Sequence, residues 1–100
     1  MTASDADLRI DCRAGLDGWI CDVTVSEDRS QTQHEVSVSE EEMRRYGVPS
    51  SSVVGLVSGA FSFLLEREPN TSILKEFDLS VINRYFPEFE DAIAERLGRR

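Results

Sequence analysis

Residues 53–65 read VVGLVSGAFSFLL: nine apolar side chains, two glycines, two serines and no charge in 13 positions. Crossing a bilayer takes about 20 residues, so a stretch of this length has to be covered by protein. On a helix, Val53, Val57, Ala60, Phe61 and Leu64 form one stripe, flanked by Leu56 and Phe63 on one side and by Val54 and Leu65 on the other. The remaining arc is Gly55, Gly59, Ser62 and Glu66. Apolar residues occupy most of the circumference, so the helix is expected to be buried nearly all round. It is expected over about 51–67, capped by Ser50 or Ser51 and stopped by Pro69. Glycine inside a helix costs about 1 kcal/mol relative to alanine, so a close approach by another backbone is expected along the glycine arc.

The cover on one side comes from the first half of the chain. In LRIDCRAGLDGWICDVTVSE, residues 8–27, apolar and polar residues alternate on both sides of GLDG, the pattern of a hairpin with one covered face. Two registers fit. With Asp17-Gly18 as a type I′ turn, Leu16 faces Trp19, Ala14 faces Cys21, Cys12 faces Val23 and Ile10 faces Val25. With GLDG as a four-residue loop, Cys12 faces Cys21 and Asp11 faces Asp22. A two-residue slip keeps every side chain on its face, so patterning alone cannot separate them. The first is preferred, because the second sets two aspartates opposite each other.

TQHEVSVS then supplies a third strand. With DRSQ as the loop, Val36 faces Val23, Val38 faces Cys21 and His34 faces Val25. The expected fold is α+β: an antiparallel meander (about 8–15, 19–27, 32–39) covered by the central helix and short C-terminal helices. Its apolar face is Ile10, Cys12, Leu16, Trp19, Cys21, Val23, Val25, Val36 and Val38, which needs a cover.

SEEEM opens a short, mostly solvated helix: Ser39 and Glu42 make a capping box, Glu40–Arg44 and Glu41–Arg45 are i,i+4 pairs, and Gly47 and Pro49 end it. In the tail, Asn70 or Thr71 caps a helical turn through Phe77, Asp78 caps another through Phe86, and Pro87 starts the last helix. Glu88, Glu90 and Asp91 suit its start, and Arg96, Arg99 and Arg100 its end. Ile73, Leu74, Phe77, Leu79, Ile82, Phe86, Phe89, Ile93 and Leu97 are expected to pack as a roof.

One hundred residues, 40% hydrophobic and 30% charged, suit a single domain over 1–100, with residues 1–6 expected to be mobile. Nineteen acidic against 11 basic residues leave a net charge of −8, which repels phosphate backbones. The basic pairs Arg44-Arg45 and Arg99-Arg100 are short. Met1 is followed by the polar, acidic TASDAD, without the apolar run of a secretory signal. The expectation is a soluble cytoplasmic protein, no membrane association, and Cys12 and Cys21 as reduced thiols.

The residues offer little chemistry. His34 is the only histidine and is placed at the edge of the sheet's apolar face. In the preferred registers Cys21 lies two same-face positions from it, too far for a Cys–His pair. Cys12, Cys21 and His34 are one ligand short of a structural zinc site, and no phosphate-binding glycine motif occurs. The acidic runs sit at helix starts, where carboxylates complement the dipole. RYFPEF is the remaining feature: Arg84, Tyr85, Phe86 and Phe89 are the residue types that interface centres favour, although the preferred reading of the three aromatics is that they fill the core.

From FSFLLEREPNTSIL through FDLSVINRYFPEFE, residues 61–90, the chain resembles a group of small uncharacterised bacterial proteins, which implies no activity. EVSVSEEEMRRYGVPSSSVVGLVSGAFSFLLERE, residues 35–68, resembles the strand–helix–helix unit of ribbon-helix-helix repressors, which implies a dimer reading the DNA major groove with paired strands. That strand carries no Arg or Lys here, the first helix is short, and two extra strands precede it. The leading expectation is a non-enzymatic protein, without cofactor or metal, acting through contact with a protein partner or a second copy of itself. A ribbon-helix-helix-like regulator is the alternative, and a thiol-based enzyme or cofactor binder using Cys12, Cys21 and His34 the second.

Overall fold

The computed structural model describes residues 7–27, 30–49 and 52–97. The expected mobility of residues 1–6, the caps at Ser50 or Ser51 and the Arg99-Arg100 pair lie outside the described residues. The alternating first half forms β1 (Asp7–Ala14), β2 (Gly18–Glu27) and β3 (Ser30–Ser39), an antiparallel meander. Helices α1 (Glu40–Arg45) and α2 (Val53–Leu65) follow, then a 3₁₀ turn (Asn70–Ser72), β4 (Glu76–Asp78), α3 (Ser80–Tyr85) and α4 (Phe89–Arg96). The sheet order is β1-β2-β3-β4, with β4 parallel to β3. The α+β class therefore stands, but the sheet is mixed and four-stranded. The turn expected to run helically through Phe77 instead becomes β4, because the chain returns alongside β3 after its helical crossover and pairs there.

Both expected registers are corrected. Cys12 lies opposite Cys21 and Asp11 opposite Asp22, as in the four-residue-loop alternative. Cys12 and Cys21 are joined in a disulfide, not reduced thiols. The like charges are eased by Arg13, whose Nη1 reaches diagonally to Asp22 Oδ2 at 2.7 Å. Gly18 serves the sheet, not a left-handed turn: a Cβ there would collide with the Val38 carbonyl of β3. Leu16, expected on the apolar face, is at the loop tip and fully exposed.

Between β2 and β3 the ladder is also shifted by two residues, setting Trp19 against Val38, Cys21 against Val36 and Val23 against His34. This register adds the pairs Ser26–Gln31 and Glu27–Ser30. The even slip leaves the same residues inward: Cys21, Val23, Val25, Val36 and Val38 are buried, with Leu8, Ile10, Cys12 and Trp19 packed against them.

Helix α2 packs on β1, β2 and α4. Its buried residues are Val53, Leu56, Val57, Ala60, Phe61, Phe63 and Leu64, while Val54 is 44% exposed. The two glycines differ. A Cβ at Gly59 would lie 2.9 Å from Ile93 Cδ1 of α4, whereas one at Gly55 would meet nothing within 4 Å. The expected approach of another backbone is found at neither glycine; at Gly59 it is the Ile93 side chain that comes close.

The capping box of α1 forms: Glu42 N donates to Ser39 Oγ at 3.0 Å, and Ser39 N donates to Glu42 Oε1 at 2.9 Å. At the other end Gly47 takes φ 67°, and the Val48 N–H to Met43 and Gly47 N–H to Arg44 bonds close a Schellman motif. The helix is mostly solvated as expected, with Glu40, Glu41, Arg44 and Arg45 exposed. Met43, Tyr46 and Val48 are buried with Glu42, and Arg45 reaches Glu90 of α4 at 3.8 Å instead of Glu41.

Candidate functional site

An apolar cleft of about 340 Å³ opens where the end of α2, the segment before β4, and α3 meet. Leu64, Phe77 and Ile82 line it as buried residues, and Leu74, Tyr85 and Phe86 line it nearer the surface. Tyr85 is 68% exposed and Leu74 49% exposed, the latter against the expectation that Leu74 packs in the roof. Glu68 is the charged residue in the lining.

Each wall has a local cause. Asp78 Oδ2 accepts hydrogen bonds from Ser80 N at 3.0 Å and Ser80 Oγ at 2.7 Å, so Asp78 caps α3 as expected and fixes the helix carrying Tyr85. His34 fixes the opposite rim. Its Nδ1 donates to the Leu74 carbonyl at 2.7 Å and its Nε2 lies 2.8 Å from Thr32 Oγ1, so both ring nitrogens are hydrogen-bonded. The Glu35 N–H adds a bond to Lys75 O at 2.7 Å. His34 thus holds the segment before β4 that presents Leu74.

The four interface candidates separate. Tyr85 and Phe86 line the cleft; Arg84 is exposed outside it. Phe89 is fully buried and belongs to the core, where its ring meets Phe63 at 5.1 Å and Tyr46 at 5.9 Å. Arg67 lies over the Phe63 ring at 3.6 Å and pairs with Glu88 at 3.4 Å, joining the end of α2 to the start of α4.

A second polar cluster joins α1 to β4. Burial, then the Asp78 contact, pushes the Glu42 carboxyl up to about 7. Asp78 goes the other way: burial raises it, but hydrogen bonds from Glu42, Ser80 and Ser37 outweigh that and leave it below the usual carboxylate range. Burial, with the charges of Glu90 and Glu42, pushes Tyr46 up to about 12. The two acidic helix starts, identical in sequence logic, thus differ: Glu42 is buried, while Glu88, Glu90 and Asp91 are exposed. Composition gives no signal for that difference, which depends on β4 arriving beside α1. Cleft residues Leu74 and Glu68 were missed for the same reason.

Among the described residues, no group of three or more His, Cys, Asp or Glu side chains is placed to hold a metal ion. None of their helices is long and apolar enough to cross a membrane. Fold and site together define an α+β chain with an apolar cleft and a satisfied histidine. No protein-family model, curated protein or solved structure matches it. Neither resemblance, over 61–90 or over 35–68, finds a relative there.

Proposed function

We propose that the chain is a non-catalytic protein-contact module whose docking surface is the cleft beside α3. The observation that carries this reading is the pair of large, exposed side chains, Tyr85 and Leu74, standing over an apolar floor. Interfaces favour such anchors around a dry centre. The occupant that fits is a partner segment presenting one large apolar side chain beside a Lys or Arg, because Glu68 supplies a carboxylate at the lining and the chain carries −8 overall.

Two features weigh against the other readings. A ribbon-helix-helix dimer pairs its strands across a free edge, and β3 has β2 on one side and β4 on the other. A thiol mechanism needs a free thiolate, and Cys12 and Cys21 are bonded to each other. That bond also argues against the cytoplasmic setting expected from the sequence, since disulfides persist in oxidising compartments and are rare in the cytosol.

The test is peptide display against the immobilised chain. Selected sequences are expected to pair an aromatic or leucine with a basic residue, and to lose capture by Tyr85→Ala and by Leu74→Ser. Failure to enrich any sequence, or peptides indifferent to both substitutions, refutes the docking surface.

A further inference from the structure

We propose that the free edge of β1 pairs antiparallel with β1 of a second copy, with Ile10 on the two-fold axis. This surface is separate from the cleft, and the inference does not rest on it. β1 is the outer strand of the sheet, and among the described residues nothing pairs with its far side.

The hairpin geometry identifies the backbone groups on that edge. Gly15 N donates to Gly18 O at 2.7 Å, so the hydrogen-bonded pairs of the ladder are 13–20, 11–22, 9–24 and 7–26. Cys12 and Cys21, between two of these, are a non-bonded pair, with Cα atoms 4.0 Å apart. The N–H and C=O groups of Leu8, Ile10 and Cys12 therefore point away from β2, toward the open edge.

The side chains select both the occupant and the register. On the outer face β1 reads Asp7, Arg9, Asp11, Arg13. With Ile10 on the axis, Asp7 faces Arg13 of the second copy and Arg9 faces its Asp11, and the same two pairs repeat by symmetry. A shift of one step puts Arg9 on the axis, setting arginine against arginine and Asp7 against Asp11. A shift the other way puts Asp11 on the axis, setting Asp11 against Asp11 and Arg9 against Arg13. One register matches every charge and its neighbours match none, and directly opposed charges are what cross-strand pairing reads. Edges that must stay free usually carry charges that repel a copy; these attract one.

The inner face agrees. Leu8, Ile10 and Cys12 are half-buried in the protomer, and in this register they meet Cys12, Ile10 and Leu8 of the second copy. Within the protomer Arg13 is paired with Asp22, while among the described residues Arg9 and Asp11 have no ion-pair partner, and Asp11 faces Asp22 across the ladder. The second copy supplies the missing counter-charges. The contact is isologous, so it closes as a dimer.

Sedimentation velocity on the full chain tests this, with circular dichroism to check folding. The wild-type chain is expected to dimerise. Arg9→Glu and Asp11→Arg alter exposed side chains, and each is expected to raise the dimer dissociation constant on the order of tenfold. Mixing the two variants is expected to restore the dimer, because the new carboxylate at position 9 faces the new guanidinium at position 11. Ile10→Pro removes the central edge N–H without touching the bonds to β2 and is expected to give monomer. Tyr85→Ala is expected to leave the dimer unchanged, which separates this contact from the cleft. A wild-type chain that stays monomeric at about millimolar concentration, a dimer indifferent to both single variants, or a mixture that fails to recover overturns the proposal.

Discussion

The sheet and the helical roof both pack on α2, but they are built from different materials. The sheet offers small β-branched and sulfur side chains: Cys21, Val23, Val25, Val36 and Val38, all buried and locked in register by the Cys12–Cys21 bond. The roof offers rings: Phe63 meets Phe86 at 5.8 Å and Phe89 at 5.1 Å, edge to face, with Arg67 over Phe63. A sheet gains stability from many small contacts along ladders, so any single inward residue carries a modest share. A roof of short helices has few backbone bonds between elements and depends on a few large side chains. The difference teaches that stability concentrates at individual residues in the second half of the chain and is spread in the first.

The largest expected effect tests that contrast directly. Phe89→Ala should cost about 3–5 kcal/mol, the usual range for emptying a buried aromatic site, while Val23→Ala in the sheet should cost less. Urea denaturation of both variants measures it, and equal losses would break the contrast. Reduction of Cys12–Cys21 comes next. The loop it closes spans nine positions of sequence separation, and chain-entropy reasoning puts its contribution at about 2–3 kcal/mol. Melting with and without a reductant should show a lower Tm for the reduced chain.

The junction between the layers gives the third. Glu42 is raised from 4.5 to about 7, so its share of stability is fully present below 4.5 and is lost as pH rises through 7. Asp78 is depressed, so its share is present above its unfolded value and lost on acidification. Wild-type stability should therefore fall by about 2 kcal/mol between pH 4.5 and 8 on account of Glu42. Glu42→Gln, which keeps an acceptor for Ser39 and gives Asp78 a donor, should flatten that decline. Urea midpoints across this range measure both.

The smallest effect lies on α2 itself. Gly55→Ala should stabilise by up to about 1 kcal/mol, since the site is open and alanine favours helix. Gly59→Ala should not, because its methyl meets Ile93, which is fully buried. Equal thermal shifts for the two would mean that α4 does not approach α2 as closely as the structure places it.

Much of the layering was legible. Strict alternation identified the inward set of the sheet apart from Leu16, and the capping box and Gly47 bounded α1 through purely local bonds. The register was not legible, because slips by two leave every residue on its face; what distinguished the registers was the Cys12–Cys21 bond and the close approach of β3 at Gly18. β4 was missed because three residues carry no periodicity. RYFPEF was read either as core or as a docking surface, and spacing could not show that Phe89 turns inward while Tyr85 turns out.

By itself, then, the sequence determined most of the inward-facing set and the bounds of α1, since periodicity and caps are written within a few neighbouring residues. The tertiary structure decided pairing register, the parallel fourth strand, the burial of Glu42 beside Asp78 and the cleft under Tyr85. Each of those depends on contacts between segments far apart in the chain, and the free energy that selects among them appears only when the segments meet.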